Sequence, residues 1–365
     1  MSRFAASYEA CDDVPSIAAA PGRLFLWFPV GLAVRTVSQY LRRIERPFVT
    51  TTTGALTVDA PDGYPAELML DLTELLTKDE AADTRCVFKA GNDDLDVDDI
   101  RRVRTIHELR QLEASSWLVE MMRGDRLTSV FQPIVYSDQP SRVLGHEALL
   151  RGIGNDGRTM SPGRLLNAAR DCGMMTELDS ASHRSAIRAV ADQDGRRHLF
   201  LNFTPDALRD GVRCLAPTIN AIDAADIPRE AVVLEVVDAD RTSDVRHLCS
   251  VLDSVRDAGL RVALDDIGCA EHSRRLIHEV RPDFVKLDMA EVRRVAGGPS
   301  VRDAERLLEL ASCLKIQTIA EGVETSEELD WNRQFGATYV QGYFIARPAA
   351  FATAFATAFA AQHAA

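Results

Sequence analysis

The sequence predicts an α/β protein, a (β/α)8 TIM-like barrel preceded by a small α+β N-terminal domain. Three observations carry that prediction. From Ser129 onward, eight short apolar runs alternate with segments of helical periodicity. Polar residues recur within those runs or at their C-terminal ends. The first 120 residues, by contrast, mix β-branched runs, one amphipathic stretch and an acidic segment, without that alternation.

The small domain is expected over residues 1–120, and the barrel over 121–365. In the first, "RLFLWF" reads as a strand, "VGLAVRTVSQYLRRI" as a helix and "PFVTTTTGALTVDA" as a strand or hairpin. The acidic "GNDDLDVDD" (Gly91 to Asp99) reads as a solvated loop, and a linker helix is expected from about Asp98 to Met122. A regulatory or sensory role suits a small domain in this position, though no chemistry is legible in it. In the barrel the strands are "SVFQPIV", "VLGHEALLR", "HLFLNFT", "AVVLEVV", "RVALDD", "DFVKLDM", "IQTIAEG" and "TYVQGYF". Several helices announce their ends. Ser161-Pro162 and Thr204-Pro205 pair an N-cap with a first-turn proline. Thr325 and Glu328 form a capping box, while Gly259 and Gly336 mark C-terminal stops. The C-terminal "AAFATAFATAFAA" places Phe351, Phe355 and Phe359 on one helix face, packed on the barrel.

Composition narrows the function. The chain has 365 residues, 46% of them hydrophobic, and a formal net charge of −13. That charge disfavours a nucleic-acid partner, which needs basic surface. Seven cysteines, scattered and never spaced CxxC, argue against a disulfide framework or a zinc site and suit a reducing cytoplasm. No signal peptide is legible, and the run "LFLWFPVGLAV" is too short and too broken by proline to span a bilayer.

The polar residues in the strands are Glu147, Asn202, Glu235, Asp265, Asp266, Lys286, Glu321 and Gln341. In a barrel, strand C-termini converge on one mouth, so these groups meet there. One lysine cannot neutralise five inward acids, and unpaired buried carboxylates are too costly to keep ionised. Metal ions resolve the imbalance. Carboxylates with one amide, and neither Cys nor His, select hard cations such as Mg²⁺, Mn²⁺ or Ca²⁺. His146 precedes Glu147 and points to the opposite face. Two adjacent aspartates with further ligands suit two ions roughly 3.5–4 Å apart, as used for in-line attack on phosphate esters. Each residue alone also has a structural reading: a buried pair for Glu235, a helix cap for Asn202 or Asp266, a Lys286–Asp288 pair, an ordinary loop acid for Glu324.

Eight blocks in order, "FQPIV", "EALLR", "LNFTP", "VLEVVD", "ALDDIG", "FVKLD", "AEGVET" and "YVQGYFIARP", resemble the EAL domains, bacterial phosphodiesterases that hydrolyse cyclic di-GMP. The resemblance covers residues 121 to 350. It implies metal ligands at Glu147, Asn202, Glu235, Asp265, Asp266 and Glu321, holding two Mg²⁺ or Mn²⁺ ions, with Ca²⁺ inhibitory. Lys286 would polarise the attacking water, Glu321 would help to deprotonate it, and Gln341 would position it, with Glu324 in support. Gln132 and Arg151 would contact substrate, Arg151 as a forked donor to phosphate. The product would be linear pGpG, and the barrel would form a homodimer.

Two blocks depart from the family pattern. Active members carry a segment resembling DDFGTGYSS where this chain has "DDIGCAEHS", and the acid that supports this loop is here Asp238, following Val237 in place of a hydroxyl residue. With every implied metal-ligand position intact, the resemblance favours an active phosphodiesterase, and the alternative is a weak or silent cyclic di-GMP receptor. An enolase-like enzyme, which also sets strand-end acids and a lysine around Mg²⁺, is opposed by Asn202, the adjacent aspartates and the ordered blocks.

Overall fold

The computed structural model describes residues 20–29, 31–51, 54–191, 197–204, 215–237, 239, 244–268, 271–288 and 300–356. The chain divides into two compact units. One runs to Arg126 and takes in Gly163–Met175; the other holds Leu127–Pro162 and the chain from Thr176.

The first unit is built on strands β1 (Gly22–Trp27), β2 (Phe48–Thr50), β3 (Leu56–Ala60), β4 (Arg85–Ala90) and β5 (Arg104–Thr105). They form an antiparallel sheet in the order β2-β3-β1-β4-β5. Helix α1 (Gly31–Arg43) buries Ala33, Val37 and Leu41, four residues apart and therefore on one face. Helices α2 (Ala66–Leu75) and α3 (Lys78–Asp83) follow the β2–β3 hairpin. The α+β expectation holds, with two differences. The expected helix from Asp98 to Met122 is three short ones: α4 (Val97–Arg101), α5 (Ile106–Ala114) and α6 (Ser116–Arg123). The break after α4 has a local cause. Arg104 and Thr105 pair with β4, and Thr105 then caps α5, accepting from Glu108 N–H at 3.0 Å while its own N–H donates to the Glu108 carboxylate at 2.8 Å. The acidic segment is not simply solvated either. Lys89 donates to Asp99 at 2.6 Å and to Asp96 at 3.1 Å, which lets Asp99 be buried. Helix α7 (Pro162–Asp171) starts at Pro162, as the Ser161-Pro162 signal predicts.

The second unit is a closed barrel. Its eight strands are β6 (Leu127–Tyr136), β7 (Val143–Ile153), β9 (His198–Phe203), β10 (Val232–Val236), β11 (Arg261–Ile267), β12 (Phe284–Asp288), β13 (Gln317–Glu321) and β14 (Tyr339–Val340), with the two-residue β8 (Thr159–Met160) appended to β7. Every expected strand is present. Six neighbouring pairs run parallel, but β6 is antiparallel to both β7 and β14. The reason lies in the linker Ser137–Arg142, which has room for a turn but not for the crossover that a parallel pair requires.

Outside the strands pack α8 (Met175–Val190), α9 (Ala216–Ala224), α10 (Val245–Asp257), α11 (Glu271–Val280), α12 (Ser300–Leu314), α13 (Ser326–Gln334) and α14 (Phe351–Ala356). The Thr325/Glu328 capping box opens α13, Gly336 has φ 83° just beyond its end, and Gly259 has φ 87° after α10. Phe351 stacks edge-on against Phe131 and against His146, on the outer face of the barrel as expected for His146. The Phe355 side chain, Phe359 and Pro205 lie outside the described residues, as does the Asp288 side chain. No described helix is long and apolar enough to cross a membrane, and Cys86, Cys172, Cys249 and Cys313 are free thiols.

Candidate metal centre in the barrel mouth

The interior of the barrel is layered. One layer is apolar: Ile134, Leu144, Phe200, Val233, Ala263, Phe284, Ile319 and Tyr339. Because side chains two apart share a strand face, the next residues on that face are Asn202, Glu235, Asp265, Lys286, Glu321 and Gln341. In β6, which runs the other way, the counterpart of Ile134 is Gln132. In β7 it is Glu147, three beyond Leu144, because the register against β6 shifts there. Each of the eight barrel strands thus contributes one polar side chain to a single layer.

Lys286 sits at its centre with 0% exposure. Its ammonium lies 2.6 Å from Glu321, 3.1 Å from Glu235, and 3.2 Å from both Glu147 and Asp265. Burial alone would strip its proton, but the four carboxylates hold it well above the usual lysine range. Those carboxylates are not equivalent. Burial presses on Glu147, yet Lys286, Asn202 and Gln341 outweigh it and bring this carboxyl below its ordinary range. Asn202 donates to it at 2.9 Å and Gln341 at 2.7 Å. Burial pushes Glu235 and Glu321 well up, with Lys286 opposing and the neighbouring acids adding to the rise. Both Glu235 oxygens and Asp265 Oδ1 are buried with no hydrogen bond, although Lys286 stands at ion-pair distance from each residue. One ammonium facing four carboxylates leaves an excess of negative charge in a poorly solvated place. The donors are all hard oxygens, and the orphaned ones point to cations. The residues fit hard divalent cations.

Asp266 extends this set through a backbone irregularity. Adjacent residues of a regular strand face opposite ways, so Asp265 and Asp266 could not share a site. The β11–β12 register shifts between Leu264 and Ile267, and Asp266 has φ 50°, in the left-handed region that Asp tolerates better than most residues. This bulge turns Asp266 back toward the mouth. One oxygen from each of Asp265, Asp266 and Glu321 then lies within 4.8 Å of the others. Gly342 supports the neighbouring wall. A Cβ there would stand 2.1 Å from the Val323 carbonyl oxygen, so only glycine lets the chain after Gln341 pass.

The remaining predicted residues fall around this centre. Gln132 is buried within the layer, accepting from Gln341 at 3.2 Å and donating to the Ala346 carbonyl at 3.1 Å. Arg151 is half-buried on β7, on the same face as Glu147 and four residues farther out, and donates to the Leu150 carbonyl at 2.7 Å. Glu324 stands apart from the four carboxylates at Lys286. It is exposed after β13, and its N–H donates to Glu328 at 2.6 Å. Asp238 lies outside the described residues.

Two buried groups behind Asn202 were not anticipated from the sequence. On α8, Asp179 accepts the Thr204 N–H at 2.9 Å, and His183 meets the Asn202 carbonyl at 2.8 Å and the Thr218 hydroxyl at 2.9 Å. Burial pushes the Asp179 carboxyl up to about 7 and the His183 imidazole down to about 4. Their signal was present, as two polar residues four apart on the inward face of an amphipathic helix.

Fold and mouth together define a class: a barrel whose C-terminal opening is built from acids suited to hard divalent cations. The family follows from comparison. Residues 115–348 match the model of the EAL domain, and the chain belongs to that family. It is 28% identical over 241 residues to the "Probable cyclic di-GMP phosphodiesterase PdeG" of Escherichia coli K12, covering 63% of this chain and 46% of the relative. It is 28% identical over 224 residues to the "Cyclic di-GMP phosphodiesterase PA2567" of Pseudomonas aeruginosa PAO1, covering 60% and 38%. Among solved structures, a standalone EAL protein from Vibrio cholerae O395 in its c-di-GMP-bound form superposes with a TM-score of 0.53 at 28% identity, over 61% of this chain and 92% of that one. The chain spans about half or less of the length of these curated relatives.

Proposed function

We propose that this chain hydrolyses cyclic di-GMP to linear pGpG. The observation that carries the reading is the layer of eight polar side chains, one per barrel strand, with Lys286 facing four carboxylates. The names of the relatives and the ligand of the Vibrio cholerae structure supply the substrate.

Glu147, Asn202, Glu235, Asp265, Asp266 and Glu321 would hold two Mg²⁺ or Mn²⁺ ions, with Ca²⁺ competing through its looser coordination. When bound, the ions supply Lewis-acid charge to water and to the phosphate oxygens. Lys286 holds the attacking water and offsets charge on the phosphoryl group. Glu321, which stands 2.6 Å from the Lys286 ammonium, takes one proton from that water. Its oxygen bonds to phosphorus, one P–O ester bond breaks, and the departing hydroxyl oxygen acquires a proton. Gln341, held between Gln132 and Glu147, orients the water, and Arg151 faces the phosphate from the outer rim. Glu324 supports the loop after β13.

The altered segment after Asp266 favours one rival, a receptor that binds without turnover. The test is product formation from cyclic di-GMP by the full chain with Mg²⁺ or Mn²⁺, beside Glu147→Ala. Linear pGpG from the parent and not from the variant supports the enzyme. Metal-dependent binding without product makes the chain a receptor, and neither binding nor product refutes both.

A further inference from the structure

We propose that Asp179 and His183 on α8 form a clamp that positions Asn202 for its ion, an assignment that rests on the metal reading above. The pairing of β7 with β9 ends at Ala148 with Leu201, so the Asn202 carbonyl lies past the last pair on that side. On the other side, β10 takes the Phe203 carbonyl through Val237 N–H at 3.2 Å. The end of β9 would therefore hang from one neighbour. Helix α8 supplies the missing side. His183 reaches the Asn202 carbonyl at 2.8 Å, and Asp179, one helical turn earlier, takes the Thr204 N–H at 2.9 Å. The two contacts bracket Asn202 along the backbone.

The geometry also fixes the imidazole. A carbonyl oxygen only accepts, so Nε2 carries the proton and donates to Asn202. Nδ1 is then the acceptor, and the Thr218 hydroxyl, buried at the start of α9, donates to it. With the strand end held, the Asn202 amide nitrogen donates to Glu147 at 2.9 Å, and its amide oxygen is left for an ion. Both clamp residues are buried polar groups with satisfied partners, on a helix that contributes no ligand itself. They are positioning residues, comparable to the outer partners that orient ligands in metal sites, whose loss weakens metal affinity by about 10–100-fold.

The test is Mn²⁺ binding to the full chain by electron paramagnetic resonance, with no substrate present. His183→Leu should weaken Mn²⁺ by about 10–100-fold. His183→Gln, which keeps an N–H donor at the position of Nε2, should recover most of that affinity. Thr218→Val removes the hydroxyl without adding volume and should weaken binding by roughly tenfold, giving a second measurement should His183→Leu fail to fold. Equal affinity in parent, Thr218→Val and His183→Leu overturns the clamp while leaving the ion site intact. A failure of His183→Gln to bind better than His183→Leu overturns it as well. A parent chain that takes up no Mn²⁺, or a Glu235→Gln variant that binds as tightly as the parent, removes the ion site and the clamp with it.

Discussion

Replacing Lys286 with methionine should have two effects of opposite sign. The side chain is fully buried and is the cation facing Glu147, Glu235, Asp265 and Glu321 at 2.6–3.2 Å. Methionine fills nearly the same volume, so the packing cost is small and the loss is electrostatic. Removing one partner from a buried charge network costs about 3–5 kcal/mol. For a domain of this size that is roughly 6–20 °C in Tm. In EDTA at pH 8 the variant should therefore melt that much lower than the parent. The penalty should shrink toward pH 5, because Glu235 and Glu321, whose carboxyls are pushed up, take protons early and relieve their own repulsion. Added Mn²⁺ should then raise the Tm of Lys286→Met more than that of the parent, since the four acids have lost their internal counter-charge, while turnover of cyclic di-GMP should be absent. Differential scanning calorimetry in EDTA and in Mn²⁺ reads both effects. A Tm loss below about 3 °C in EDTA, or a smaller Mn²⁺ gain in the variant than in the parent, would refute the reasoning.

Asp266→Asn should keep the bulge, because Asn also tolerates a left-handed backbone, and should melt within a few degrees of the parent while binding Mn²⁺ more weakly. Asp266→Val should lose about 1–2 kcal/mol besides, and equal Mn²⁺ affinity in all three chains would show that this carboxylate is not a ligand. Asp179 gives a pH effect. Its folded carboxyl titrates at about 7 against an ordinary 3.8, so its neutral form favours the fold below pH 4, and that stability is lost as pH rises to 7. Relative to Asp179→Asn, which keeps an acceptor for Thr204, the parent should lose up to about 4 kcal/mol between pH 4 and pH 8. Urea unfolding at several pH values reads the difference, and parallel curves would mean that Asp179 is ionised throughout.

What was legible in the sequence was local. All eight barrel strands, the α13 capping box and the Gly259 and Gly336 stops follow from side-chain period and from backbone preferences written into neighbouring residues. The polar residues at the strand ends were legible for the same reason, since a strand's period of two assigns each to the face of its apolar neighbour. The long helix expected at Asp98–Met122 failed because a two-residue pairing with β4 outweighed helical periodicity. Asp99 looked solvated because its partner Lys89, ten residues earlier at the end of β4, reaches it only once the intervening loop folds back.

Only tertiary structure decided how those polar residues meet. Barrel closure brings Gln132 from an antiparallel strand into the layer of the other seven, and no spacing along the chain encodes that. The shift between Leu264 and Ile267 turns two adjacent aspartates to one mouth, a result of pairing with β12. The bracket around Asn202 depends on α8 crossing the end of β9. Sequence alone thus determined the strands, the face of each and the hard-oxygen chemistry of the mouth. Distances among groups up to 209 residues apart, such as Gln132 and Gln341, came from long-range closure, whose loop entropy local propensity does not carry.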